Sequence, residues 1–342
     1  MYIISVFGFS VNEFWGFSCF LRSSSLFFPI LLAVESDSTH FVLTKCPFGR
    51  YNNSILHIEK GIIAMIRIVS DTSTLYSSTQ AREAGFHVCP LSVTIADKTY
   101  REFDEISSEE FVSIIRQGHM PTSSQPSIGD FAEAYDAYPG DQILNPAMAM
   151  GLSGTYQGAL AAADLCSHPE DITVINTRTL CGPHRYLVQL AKRLADEGAT
   201  MEELVKTLNE KMDSAKSFLV PADFDYLRRG GRLSPLVSYV GQAANLTPIM
   251  TQTEDGTRLT IASIRRGFPH AVKFIVKQLE KADIGVGWRV YISHADAMDK
   301  AELAKKALEE ALPGAVCEIL PLSPAFITQG GPGCVAVQYI HE

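Results

Sequence analysis

Hydroxyl side chains gather in two short stretches of this chain, Pro121-Thr122-Ser123-Ser124-Gln125-Pro126-Ser127 and Gly151-Leu152-Ser153-Gly154-Thr155-Tyr156. Each stands just before a segment whose apolar residues have helical spacing. The first turn of a helix leaves backbone N–H groups unpaired and carries the positive end of the helix dipole. Two such starts, both rimmed with Ser and Thr, have the chemistry to hold one small anionic group between them. Both stretches fall where neighbouring strands of an α/β sheet should end, and ligands of open α/β sheets bind at those C-terminal ends. Read one at a time, Ser124, Ser127 and Ser153 are also ordinary cap and turn residues.

Other chemistries leave fewer marks. Gly151-Leu152-Ser153-Gly154 approaches the hydrolase elbow G-x-S-x-G, but its second glycine comes one residue early. His87, His119, His184, His270 and His294 are present without a recognisable triad context. There is no G-x-x-x-x-G-K-[ST] phosphate loop and no dinucleotide fingerprint. Asp71 and Asp225 read as caps or as site carboxylates, and no acidic cluster suggests a metal. Arg228-Arg229-Gly230-Gly231-Arg232 is a compact basic turn, either solvated or a docking patch for an acidic partner. Arg265-Arg266 neutralises an anion or decorates a turn. Gly330-Gly331-Pro332-Gly333 bends the chain and lets backbone come close to a ligand or a strand.

The elements that must position these residues follow from the bulk pattern. The chain has 342 residues, 46% of them hydrophobic and 20% charged, with a net charge of −9. That is a globular balance with room for two domains, and its sign disfavours nucleic acid as a partner. Its seven cysteines are scattered with no C-x-x-C pair, which fits a reducing cytoplasm better than a zinc site or a disulfide framework. Residues 1–64 differ from the rest, with Phe, Ser, Leu and Ile crowded and no period sustained. The apolar run Leu26–Val34 is well short of the roughly 20 residues a spanning helix needs, so no stable membrane insertion is expected. Met65 opens the first convincing strand, and Lys60-Gly61 just upstream can be encoded as a ribosome-binding sequence. Translation is therefore expected to start at Met65, with 1–64 an extension outside the folded protein.

From Met65, strand and helix patterns alternate, which predicts a parallel sheet flanked by helices over 65–215. Ser107-Ser108-Glu109-Glu110 reads as a capping box, and Pro121–Ser127 and Gly151–Tyr156 each feed a helix. The second half, 216–342, mixes hairpin and crossover signals, including a turn at Asp255-Gly256, and predicts a mixed sheet packed by helices. A helix is expected over 236–244. The fold class is thus α/β, with two domains.

From Met65 to the end, the chain resembles the DegV family of bacterial fatty-acid-binding proteins. The matching motifs are Val69-Ser70-Asp71-Thr72-Ser73, Pro90-Leu91-Ser92-Val93, Thr122–Ser127, Gly151–Tyr156, Tyr226–Arg232 and Gly331-Pro332-Gly333. Their order and spacing together are specific, although any one alone is weak. The resemblance implies a fatty acid held between two α/β domains, with no other cofactor. Its carboxylate-binding residues fall on Ser123, Ser153, Arg266 and Gln329, supported by Ser124, Gly151, Gly154 and Thr155. Gln329 stands where the family commonly has His; it donates a hydrogen bond but carries no charge. Phe218, Leu219, Val220, Ile249, Met250, Ile261, Ile264 and Phe326 are candidate tunnel residues. The resemblance further implies that a separate fatty acid kinase phosphorylates the presented carboxylate for phospholipid synthesis, with Arg228, Arg229 and Arg232 at the docking surface. Two other functions fit the residues alone: a hydrolase or transferase using Ser153 as nucleophile, and a lipid-sensing regulator that binds a partner through the basic turn.

Overall fold

The structure, a computed structural model, describes residues 65–235 and 246–342, together with the backbone of four strands nearer the N-terminus. The helix expected over 236–244 lies outside the described residues. The chain divides into two compact units, Met1–Ile63 and Ala64–Glu342. In the first, β1 (Ile3–Val11), β2 (Phe14–Ser23), β3 (Leu26–Val34) and β4 (Val42–Leu43) pair in sequence order as an antiparallel sheet. The apolar run noted above is β3.

The second unit opens with β5 (Ile66–Asp71), α1 (Ser78–Glu83), β6 (His87–Cys89), β7 (Ser92–Ile95), β8 (Lys98–Arg101) and α2 (Ser108–Arg116). Next come β9 (Thr122–Ser124), α3 (Ile128–Asp136), β10 (Gln142–Ala147), α4 (Thr155–Ala163), β11 (Ile172–Asn176), α5 (Cys181–Asp196) and α6 (Met201–Met212). The later half contains β12 (Lys216–Val220), α7 (Phe224–Gly230), β13 (Leu246–Gln252), β14 (Leu259–Arg266) and α8 (Phe268–Lys281). It ends with β15 (Trp288–His294), α9 (Met298–Ala311), β16 (Val316–Pro321), α10 (Pro324–Gly330) and β17 (Val335–His341).

Local chemistry sets many of these boundaries. Full capping boxes start α1 (Ser77 with Gln80), α3 (Ser127 with Asp130) and α6 (Thr200 with Glu203). At α2, Ser107 accepts from the Glu110 N–H, one half of the capping box expected there. The apolar run His87–Ile95 is not one strand. Pro90 has no N–H to give a ladder, so the run divides into β6 and β7, which enter different sheets.

Strands β5, β6, β10 and β11 form a parallel sheet in the order β11-β10-β5-β6. Alternate residues face opposite sides. Val69 and Ile143 pack with Phe131 of α3 and Ala159 of α4, whereas Ile68 and Leu144 pack with Leu187 and Val188 of α5. Helices on both faces are what an all-parallel sheet requires. The larger sheet runs β14-β13-β12-β17-β15-β16 and is mixed, with only β15 and β16 parallel. One of its faces, through Val220, Ile249, Val290 and Val337, is covered by α8 and α9. A small antiparallel sheet, β8-β7-β9, completes the unit.

The division expected at 215/216 falls between α6 and β12, so it separates the two main sheets. The apolar core nevertheless runs across it. Ile68, Leu144 and Leu187 belong to the same buried cluster as Tyr291, Ala295, Leu320 and Ile340.

Candidate functional site

The two hydroxyl stretches meet at one cavity. Ser123 lies in β9, opposite Val93 of β7. The stretch therefore begins as an edge strand, and only its end at Ser127 caps a helix. Against β9 packs α10. Thr328 Oγ1 donates to the Ala325 carbonyl at 2.6 Å and stands 3.3 Å from Ser123 Oγ. Gln329 Nε2 donates to Thr328 Oγ1 at 3.0 Å, while Gln329 Oε1 is a buried acceptor with no partner among the described residues.

The second stretch is a tight turn at the C-terminal end of β10. The N–H groups of Leu152 and Ser153 both donate to the Ala149 carbonyl, at 3.1 and 3.2 Å. Ser153 Oγ lies 2.8 Å from Thr155 Oγ1 and accepts from the Thr155 N–H at 3.3 Å, so it covers the start of α4. Gly154, the N-cap itself, has no side chain to do this. Asp71 ties the turn to β5: its carboxylate accepts from the N–H groups of Ser73 at 2.9 Å and Met148 at 3.1 Å. Asp71 is thus a cap. Asp225 is also structural, pairing with Arg228 at 3.0 Å.

Glycines mark the two places where neighbours press on this turn. A Cβ on Gly154 would fall 1.9 Å from Gln125 Oε1, so the first stretch lies directly on the second. A Cβ on Gly151 would fall 2.2 Å from Thr257 Cα, so the turn between β13 and β14 rests on it from the other half.

The cavity between these elements holds about 950 Å³ of atom-free space, counted to its open mouth. Ser123, Ser124, Ser153, Gln329 and Arg232 supply polar wall. Leu91, Met148, Leu180, Leu219, Met250 and Phe326 supply apolar wall. Four of the expected tunnel residues, Phe218, Leu219, Met250 and Phe326, line it. Val220 and Ile249 instead pack under α8 and α9, Ile261 joins a small cluster with Leu227 and Leu233, and Ile264 is exposed. Strand alternation explains the contrasts between Leu219 and Val220 and between Met250 and Ile249; Phe218, which shares the buried cluster of Val220, also borders the cavity.

Two arginines depart from expectation. Arg266 is not brought to the cavity: it ends β14 opposite Leu246, at the edge of the large sheet, with its side chain exposed. Arg232 lines the cavity although it was expected on a docking surface. Gly231 terminates α7 with a left-handed φ of 70°, which turns the chain. Arg228 and Arg229 stay exposed on α7, while Arg232, beyond the turn, is half-buried. Burial, then the neighbouring Arg258, lower the pKa of Arg232.

Sequence reasoning missed Thr328, Gln125 and Glu102. Gln125 lies inside a noted motif and Thr328 two residues before one, but nothing in the spacing indicates that Gln125 presses on Gly154 or that Thr328 meets Ser123. Glu102 carries no sequence signal. It is fully buried, accepts from Thr72 Oγ1, and accepts from the Ala325 N–H at 2.8 Å, which anchors the first turn of α10. Burial outweighs these hydrogen bonds and pushes its carboxyl up to about 7.

Among the described residues, Ser153 lacks the partners of a serine nucleophile. The hydrogen-bond partners of Ser153 Oγ are both in Thr155, and no histidine reaches it among the described residues. His184 is buried elsewhere, held by Ser70, Ser73 and the Pro146 carbonyl, and burial lowers its pKa. Among the described residues there is no cluster of three or more metal-ligating side chains. No described helix is long and apolar enough to cross a membrane.

Comparison with known proteins gives the same family from three directions. The model of the DegV family, described as uncharacterised protein, matches residues 65–342. A DegV domain-containing protein of Caldanaerobacter subterraneus subsp. tengcongensis is 33% identical over 250 residues, 72% of this chain and 88% of that protein. A DegV family protein from Thermus thermophilus, whose structure is described for its fatty acid binding, superposes with a TM-score of 0.74 at 28% identity, covering 81% of this chain and all of that one. A DegV lipid binding protein from Thermotoga maritima superposes with a TM-score of 0.71 at 26% identity, covering 81% of this chain and 98% of that one.

Proposed function

The chain belongs to the DegV family, and on that premise we propose that it binds a long-chain fatty acid and presents the carboxylate to a separate kinase. The observation that carries this reading is that Ser123 and Ser153, from stretches 30 residues apart in number, line the same largely apolar cavity. Their hydroxyls and Gln329 are the donors proposed for the carboxylate, and donors to an ionised acceptor form the stronger class of hydrogen bond. Burial of each methylene contributes about 0.8 kcal/mol, so a 16-carbon tail gains roughly 10 kcal/mol before ordering costs. That is enough to retain the lipid through purification.

Phosphoryl transfer needs a nucleotide site that this sequence does not carry, so the chain acts as carrier and a partner supplies the chemistry. The exposed pair Arg228 and Arg229 on α7 is the proposed docking surface, and the compartment is the cytoplasm. The test is native mass spectrometry of the purified protein, followed by lipid extraction. A mass excess that extraction identifies as a fatty acid is expected. Protein that is lipid-free, and that fails to take up added fatty acid, refutes the carrier.

A further inference from the structure

The cavity wall has a second polar part, apart from the residues proposed for the carboxylate. Leu219 of β12 is flanked by Met250 of β13 and Ala336 of β17, and all three line the cavity as an apolar row. Two residues along these strands, on the same face, Ser217 stands opposite Gln338, and both line the cavity as well. The helix α10 ends against Leu219, since a Cβ on Gly330 would fall 3.7 Å from Leu219 Cδ1. The Ser217–Gln338 pair therefore lies about 7 Å beyond that point along the strands. The Ser153 turn reaches the same sheet elsewhere: the Leu152 carbonyl is bound to Arg232, whose own carbonyl accepts from the Leu259 N–H of β14 at 2.8 Å. Strand β14 is three places from β17 in the sheet, a span of about 14 Å.

Gln338 is fully buried and its amide is committed. Nε2 donates to the Leu180 carbonyl at 3.0 Å and to Ser217 Oγ at 2.9 Å, and Oε1 accepts from the Gly182 N–H at 3.3 Å. The neighbouring Thr251 Oγ1 donates to the Ser217 carbonyl at 3.0 Å. Ser217 Oγ is different. It accepts from Gln338, and its own proton has no acceptor among the described residues. A hydroxyl can donate one hydrogen bond, and here that donor stands on the wall of a cavity read as holding an acyl chain. Methylenes passing it leave the donor unmatched, which is unfavourable, whereas an oxygen on the chain completes it.

We infer that Ser217, braced by Gln338, is a seat for an oxygen atom on the ligand's chain, so that the cavity takes hydroxy or keto fatty acids whose oxygen falls at this point. This rests on the lipid-binding reading above and narrows its substrate class. Discrimination is positional. An oxygen carried elsewhere on the chain meets the row Leu219, Met250 and Ala336 and loses its hydrogen bonds to water without replacement.

The experiment measures affinities of the full chain for hexadecanoic acid and for its monohydroxy and monoketo derivatives, with the oxygen stepped from mid-chain to the far end. Comparison among positional isomers cancels the shared cost of taking the oxygen out of water. One position should bind about tenfold more tightly than the others, the scale of one neutral hydrogen bond. Hydroxy and keto forms should share that optimum, because Ser217 is the donor. Ser217→Thr, which keeps the hydroxyl, should retain the optimum, and Ser217→Ala should abolish it. The inference is overturned if the wild type binds all isomers alike or binds none of them, results that need no variant to fold, or if the optimum survives Ser217→Ala. Hexadecanoic acid that still binds in those cases leaves the lipid-binding reading standing. A wild type that binds neither hexadecanoic acid nor any derivative removes that reading, and this inference with it.

Discussion

Gly151 and Gly154 stand three residues apart around Ser153, yet their neighbours differ in how they can respond. The Gly154 position faces the tip of an exposed glutamine, which can swing aside. The Gly151 position faces the backbone of Thr257 and Gly256, which cannot move without displacing the β13–β14 turn. Gly151→Ala should therefore cost about 1–3 kcal/mol of stability, as overpacking does, and should weaken lipid binding. Gly154→Ala should do little to either, as chemical denaturation and lipid titration would reveal. Replacing Ser123 and Ser153 together with Ala should lower fatty-acid affinity by about tenfold or more and leave the circular dichroism spectrum unchanged; unaltered affinity would refute the head-group assignment. At this scale the serines were legible because they recur in motifs with helix-start chemistry. The inward turn of Arg232 was not. Within Arg228–Arg232 every arginine looks alike on paper, and the left-handed conformation of Gly231 decides which of them face water.

Among the elements, α10 carries Thr328 and Gln329, and Glu102 holds its first turn. Because the Glu102 carboxyl is raised from 4.5 to about 7 by burial, the folded state keeps a proton there that the unfolded chain gives up. The stability this contributes is complete below the ordinary carboxyl range and is lost as pH rises through about 7. His184 works in the opposite sense. Its pKa is lowered by burial, so folding is favoured as pH rises through the usual imidazole range. The two overlap, and only a difference isolates Glu102. The stability of the wild type minus that of Glu102→Gln should fall between pH 5 and pH 8, by no more than roughly 3 kcal/mol; a flat difference would contradict the assignment. Helices such as α2, α5 and α8 were readable from apolar spacing and end signals. The strand β9 and the helices α7 and α10 were not, since three to seven residues are too few to display a period.

For the molecule as a whole, the alternation of strand and helix announced the α/β class, and the switch to hairpin signals announced the mixed sheet. Neighbour order was not legible. Nothing local states that β10 lies between β5 and β11, or that β17 inserts between β12 and β15. Such pairings are decided by long-range packing, not by the residues of one strand. A ligand bound only by the folded state should stabilise it by about 2.7 kcal/mol at a free concentration one hundred times its dissociation constant. Delipidated protein should accordingly melt at a lower temperature and recover when fatty acid is added. If added lipid leaves the melting temperature unchanged, the cavity is not its site.

The buried cluster that joins Leu144 and Leu187 to Tyr291 and Ile340 has a mechanical corollary. Two lobes that share one interior cannot gape like jaws without exposing that interior to water, at about 25 cal/mol for each square ångström of apolar surface. Loading and unloading must then proceed by threading, with small displacements of the rim around a stationary body. A fragment cut at residue 215 should for the same reason remain unfolded by itself, which its far-ultraviolet spectrum would report directly.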